Sequence, residues 1–193
     1  RGEVTIGGSY SGDLTMRRLA KPLHFDSQRT NFRVAQTPGE VRMDLGDLTG
    51  ENLVGPISLK TTSRDVELNG FTGKLDLDIN RGDVELSPGA GPAPRMKVQL
   101  GAGNLVLTLP EGAAFGLDAR TARGKITNDY GPELRLESNG DGASLRGPDG
   151  RDVTVLLEVK RGDIILRKGP ARPSPAAGRP AEKETVRLLP VIS

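Results

Sequence analysis

The stretch Leu75-Asp76-Leu77-Asp78-Ile79-Asn80-Arg81-Gly82-Asp83-Val84-Glu85-Leu86 decides the fold. Apolar and polar residues alternate on both sides of Arg81-Gly82-Asp83, so each flank reads as a strand with one buried face. The glycine supplies the positive φ that a tight turn asks for and that a Cβ resists. The same device recurs at Ser11-Gly12-Asp13, Pro38-Gly39-Glu40, Ser63-Arg64-Asp65, Ala102-Gly103-Asn104, Arg123-Gly124-Lys125 and Arg161-Gly162-Asp163. Two and four positions after the middle residue come Leu14/Met16, Val41/Met43, Val66/Leu68, Val84/Leu86, Leu105/Leu107, Ile126/Asn128 and Ile164/Leu166. Asn128 is the one polar residue in that series, so the inward face is set the same way each time. Apolar pairs also precede six of the turns, among them Phe32/Val34, Ile57/Leu59, Met96/Val98 and Val155/Leu157, while the first turn has Val4/Ile6 one residue out of step. Arg64 stands where the others have glycine, so that turn is expected to differ in shape or to hold strain.

The middle residues are 27, 25, 18, 21, 21 and 38 positions apart. A period near 20 with two short strands per unit predicts a β-solenoid, because a unit that cannot bury its own apolar face does so by stacking on its neighbours. Seven or eight coils at about 4.8 Å each give a body of roughly 35–40 Å. The long last interval holds Ser138-Asn139-Gly140-Asp141-Gly142 and Gly147-Pro148-Asp149-Gly150, both turn signals, and predicts an irregular coil or a hairpin. The coil ending at Ile164-Ile165-Leu166 is expected to be the last of the stack. Neither it nor the opening Gly2-Glu3-Val4-Thr5-Ile6 carries a capping helix or a charged plug, so both ends are expected to be open. A sandwich of hairpins uses the same strands, but explains less well why the apolar offsets repeat so evenly.

Composition narrows the class. Gly is 26 and Pro 14 of 193 residues, against a helical bundle, where Gly is costly. Aromatics are four Phe and two Tyr with no Trp, too few for stacking platforms on sugars or single-stranded nucleic acid. Basic and acidic residues number 27 and 25, and the excess lies in Arg172, Arg179, Lys183 and Arg187 against Glu182 and Glu184. Residues 1–168 are thus neutral and offer no field for a phosphate backbone, so nucleic acid is not an expected partner. With no cysteine there is no disulfide framework and no thiolate metal site. No apolar run reaches the ~18 residues of a membrane span. The chain opens at Arg1 inside a strand-like segment, and is read as a fragment or processed product.

Several constellations invite chemistry. Arg-Gly-Asp occurs at 81–83 and 161–163, an adhesion tripeptide in form, but the turn role explains the spacing and the tripeptide does not. Asp13, Asp65, Asp83 and Asp163 would form a carboxylate ladder along a solenoid, suited to Ca²⁺ on one reading and to Asx-turn hydrogen bonds on the other. Asn104 and Lys125 interrupt it, which favours the second, and no metal or cofactor is expected. His24 is the sole histidine and has no partners at metal or triad spacing. Asp76, Asp78, Glu67 and Glu85 are the candidates for a carbohydrate-active site of the kind solenoids house, yet they alternate with apolar residues as the solvated face of a strand does. The expectation is a protein without catalytic residues.

The strands closing on these turns, from Ile57 to Leu68, Leu75 to Leu86 and Val153 to Leu166, resemble the bacterial DUF4097 family, described as adhesins with β-strand repeats. The stretch from Gly7-Gly8-Ser9-Tyr10-Ser11-Gly12 through Leu45-Gly46-Asp47-Leu48 to Ser63-Arg64-Asp65-Val66 is similar to acidobacterial members. The resemblance covers about residues 3–168. It implies a β-helix-like repeat fold in an extracytoplasmic region, often behind a membrane anchor, and brings no catalytic residues with it.

The expected architecture is therefore all-β: a single-domain solenoid over 1–168, a Pro/Ala/Gly-rich linker over 169–183 and an apolar strand-like segment over 184–193. The linker has Pro at 170, 173, 175 and 180, which favours extended polyproline-like chain. The terminal segment carries Val186, Leu188, Leu189, Val191 and Ile192, and is expected to add to a solenoid edge, in its own chain or a neighbour. The function this predicts is a structural or adhesive module at the cell surface, in the periplasm or secreted, partnered by copies of itself or by an envelope component. A ligand-sensing ectodomain and a carbohydrate-active enzyme are the alternatives.

Overall fold

The computed structural model describes residues 3–7, 13–44, 46–89, 94–111, 115–147, 152 and 154–169. The region 170–193, with the linker and the five apolar residues from Val186 to Ile192 named above, lies outside the described residues. Every regular element among those described is a strand. The first nine are β1 (Val4–Gly7), β2 (Leu14–Leu19), β3 (Leu23–Asp26), β4 (Thr30–Met43), β5 (Asp47–Glu51), β6 (Val54–Ser63), β7 (Asp65–Phe71), β8 (Leu75–Arg81) and β9 (Val84–Pro88). They are followed by β10 (Met96–Ala102), β11 (Leu105–Pro110), β12 (Leu117–Thr121), β13 (Ile126–Asp129), β14 (Arg135–Asn139), β15 (Gly142–Gly147), β16 (Val155–Arg161) and β17 (Ile164–Gly169).

These strands form two facing sheets over one core. The first runs β1-β3-β4-β6-β8-β10-β16-β12-β15-β14. The second runs β2-β4-β5-β7-β9-β11-β17-β13. Most neighbours are parallel, as stacked coils require, and period-two alternation sends one side chain in and the next out. The inward set is the predicted one: Leu77, Leu86, Val98, Leu107, Leu157 and Ile164 are fully buried. Each such side chain contributes about 1.5–3 kcal/mol of burial. The registers show the repeat directly, since Ile57 lies beside Leu75 and Leu75 beside Met96, steps of 18 and 21 residues.

Three expectations change or narrow. Pro38-Gly39-Glu40 is not a turn: β4 is one long strand that passes from the first sheet into the second, antiparallel to β6 in its first half and to β5 in its second. Gly39 is needed there because a Cβ would fall 2.0 Å from the carbonyl oxygen of Glu51. Arg64 carries no strain of the glycine kind, since the non-glycine residues with positive φ among the described residues are Arg18 and Asn52. Its turn differs instead, with the guanidinium folded onto the carbonyls of Asp44 and Asp47.

The third change concerns the end of the stack. β16 and β17 are not the last coil in space. They lie between β10–β11 and β12–β13, with Met96 beside Val155 and Val155 beside Leu117. The long final interval is the reason: after β13 the chain makes the β14–β15 hairpin, turning at Asn139–Gly142, and then returns into the gap left for β16. Ile164-Ile165-Leu166 is interior, and the far end is formed by β13 and by β14, which among the described strands pairs only with β15.

Candidate functional site

The turn row is the most regular polar feature. Asp65 Oδ1 accepts a hydrogen bond from the backbone N–H of Asp83 at 2.8 Å, and Asp83 Oδ1 accepts from Asn104 N–H at 2.8 Å. Asn104 Oδ1 accepts from Asp163 N–H at 3.2 Å, and Asp163 Oδ1 accepts from Lys125 N–H at 2.8 Å. The chain of bonds thus climbs coil by coil, through the inserted turn, and ends on a lysine that has no oxygen to offer. Asn104 is no interruption, because an amide oxygen accepts as a carboxylate does. Each bond joins neighbouring coils, so these side chains are staples between turns, where the sequence suggested local Asx-turn bonds or a cation ladder. Among the described residues no group of three or more His, Asp or Glu has the arrangement of a metal site. Both Arg-Gly-Asp tripeptides are turns of this row, and in each the Asp oxygen is held by the next coil.

Asp65, Asp83 and Asp163 also border a shallow groove of about 590 Å³ on the second sheet, with Asp47, Glu67 and Glu85 beside them. Glu67 and Glu85 are direct cross-strand neighbours, and Asn69 Nδ2 donates to Glu67 at 2.7 Å. Asp76 and Asp78 stand on β8 in the first sheet, across the core. The structure therefore does not bring the four candidate carboxylates together: it makes two pairs, one on each sheet. His24 is on β3 between Thr5 and Arg33, half-buried, with Nδ1 3.9 Å from Glu3 and Nε2 without a hydrogen-bond partner among the described residues.

The other concavity is a trough of about 810 Å³ across the first sheet, from β8 to the β14–β15 hairpin. The register lines up one residue per strand: Asp78, Gln99, Glu158, Arg120, Ser144 and Glu137. Part of this row is internally paired. Lys60 approaches Asp78 at 3.8 Å, Gln99 donates to Glu158 at 3.2 Å, and Arg120 forks onto Asp118 at 2.9 and 2.7 Å. That fork raises the Arg120 pKa further, chiefly through the hydrogen bond from the guanidinium to Asp118. Asn80, Glu137, Asn139, Ser144, Arg146 and Lys160 also line the trough, and among the described residues their side chains make no hydrogen bond or ion pair. Gly101, Ala122 and Gly142 keep the floor low. Sequence reading missed this site because its residues, from Asp78 to Lys160, come from segments far apart in the chain, joined only when β16 enters the stack. The alternation of each strand marks these residues as outward-facing, but nothing in it says which strands are neighbours.

A core wrapped by stacked parallel strands, bonded coil to coil along one row of turns, defines a β-solenoid-like protein whose polar features are faces and grooves. Within that class the chain belongs to the Toastrack DUF4097 family, whose family model matches residues 6–167. No curated protein and no solved structure is significantly similar to the chain.

Proposed function

We propose that this chain is a non-enzymatic, extracytoplasmic β-solenoid module of coils about 20 residues long, with a structural or adhesive role, that self-associates through its solenoid ends and C-terminal segment. The observation that carries the reading is the stapled stack. The same inter-coil bond recurs from Asp65 to Lys125 over a continuous apolar core, which suits a body whose working parts are rigidity and long faces. The head supports self-association: among the described strands β1 and β2 each have one partner, and Val4, Ile6, Leu14 and Met16 are only partly buried there. Electron microscopy and sedimentation over a hundredfold concentration range, with fractionation of producing cells, test it. Association that grows with concentration and recovery in envelope or secreted fractions are expected. A compact monomer throughout, or a chain confined to the cytosol, overturns it.

The trough favours a second reading, a ligand-sensing ectodomain, because six polar side chains there have hydrogen-bonding capacity left over. Saturable heat of binding to envelope glycans or peptides, lost in Asn80→Ala with Asn139→Ala, would replace the scaffold reading with this one. Glycan degradation abolished by changing Asp76, Asp78, Glu67 and Glu85 to Ala would instead make the chain an enzyme.

A further inference from the structure

The two sheets do not end at the same level. β12 and β13 are the two strands of one coil, yet the first sheet continues past β12 by β15 and β14 while the second, among the described strands, stops at β13. Leu136 on β14 lies directly opposite Leu145 on β15, and residues so paired share a face. Leu145 is fully buried, so Leu136 also faces inward, but it is 47% exposed, the one exposed large hydrophobic side chain among the described residues. No described strand of the second sheet lies across from it. That open flank adjoins the free edge of β13. Ile164 N–H donates to the Lys125 carbonyl, so by the parallel pattern the N–H groups of Ile126 and Asn128 point away from β17, where no described strand pairs.

We propose that residues 184–193 of the same chain fill this place, adding to the free edge of β13 as the last strand of the second sheet. The chain leaves the described fold at Gly169, the end of β17, which is the strand beside β13. The 14 residues from 170 to 183 meet the dozen or more that a parallel crossover needs. Extended, they reach about 43 Å, against about 20 Å for the six-residue strand they must pass. Alternate residues Val186, Leu188, Pro190 and Ile192 form a wholly apolar face, which suits the side turned toward Leu136. Pro190 fits an edge strand, where its missing N–H faces solvent. The proposal rests on the reading of 184–193 as a strand-forming segment and is independent of the adhesive role. It narrows the self-association proposed above: the segment closes the far end of its own chain, and β1 and β2 remain as the end open to a second copy.

Amide hydrogen exchange on the full chain tests it, with Leu188→Lys/Ile192→Lys as the comparison and Leu77 in β8 as the control for folding. The amides of Ile126 and Asn128 are expected to exchange at least tenfold more slowly in the unsubstituted chain, at every protein concentration, with Leu77 unchanged. Equal rates in the two proteins overturn the proposal while leaving self-association through the head untouched. Protection that appears only as the mass doubles means that a second copy supplies the strand, and overturns the assignment to the same chain.

Discussion

The coils from β6 to β9 and the coil of β16 and β17 have the same strands, turns and buried positions, and reach them by different routes. Each strand of the first group stacks on the strand one repeat away, 18 or 21 residues along the chain. Val155, by contrast, sits between Met96 and Leu117, 59 and 38 residues away. The inserted coil must enter a gap whose walls are already separated in sequence, so closing it costs more loop entropy and is expected to come later. The repeat pattern thus sets what each coil looks like, whereas the order of coils in space depends on the hairpin between them.

Glycine substitution should separate the two regions most strongly. Gly162 has φ 139°, and a Cβ there would lie 1.8 Å from the carbonyl oxygen of Gly103, in the coil on which it stacks. The three nearest atoms are all backbone of Gly103, so no flexible side chain can yield. Gly162→Val is expected to cost at least ~4 kcal/mol and to detach the inserted coil. Gly140 is at the hairpin tip with φ 61°, and a Cβ added there would meet nothing within 4 Å. Gly140→Ala is expected to lose only about 1 kcal/mol. Urea unfolding measures both, and similar midpoints for the two variants would show that the turn stack is not tight.

Core truncation probes the kinetic side. Leu157→Ala in β16 and Leu77→Ala in β8 remove equally buried side chains, and each should cost about 2–5 kcal/mol. Pulse-labelled exchange during refolding should protect Leu77 before Leu157. Simultaneous protection would mean that the inserted coil assembles with the stack, not after it.

What could be read from the sequence follows from the same contrast. The strand faces were readable because alternation is local, and Leu86, Leu107 and Leu166 proved buried as their offsets required. The hairpin was signalled by Asn139-Gly140-Asp141-Gly142. The insertion was not, since nothing in Val155 or Leu157 distinguishes a coil added at the end from one placed between two others. Pro38-Gly39-Glu40 misled for a related reason: a glycine required by close approach to Glu51 has the same letter as one required by φ. The trough suffered most, because its residues become neighbours only through the insertion.

The staple row gives a smaller effect. Asp163→Asn should be nearly neutral, because Asn104 already does the same work in the same row, whereas Asp163→Ala should lose about 1 kcal/mol with the bond to Lys125. Asp83→Ala should match it, as the bond it loses, to Asn104, is of equal length. Urea midpoints that differ widely between the two alanine variants would show that the inserted coil leans on its staple more than the sequential ones do.

The smallest effect belongs to the turn beneath the row. Asp44 Oδ1 accepts from the N–H groups of Gly46 and Asp47, each at 2.7 Å, and the Arg64 guanidinium rests on the Asp44 and Asp47 carbonyls. The bond from Asp47 N–H, then that from Gly46, holds the Asp44 carboxyl below the usual carboxylate range, with the Arg64 charge a lesser cause. A carboxyl lowered on folding contributes stability that is present above its unfolded value and lost as the pH falls through its folded value. The loss should therefore begin only in acid, and stay modest because the carboxyl is open to water. Carbon-detected NMR titration should place the Asp44 midpoint below that of a free aspartate, and Asp44→Asn should flatten the acid limb of stability slightly. A midpoint at or above the free value would mean that the two turn bonds do not hold in solution. Arg64 would then secure this end of the row alone, by its reach across the turn.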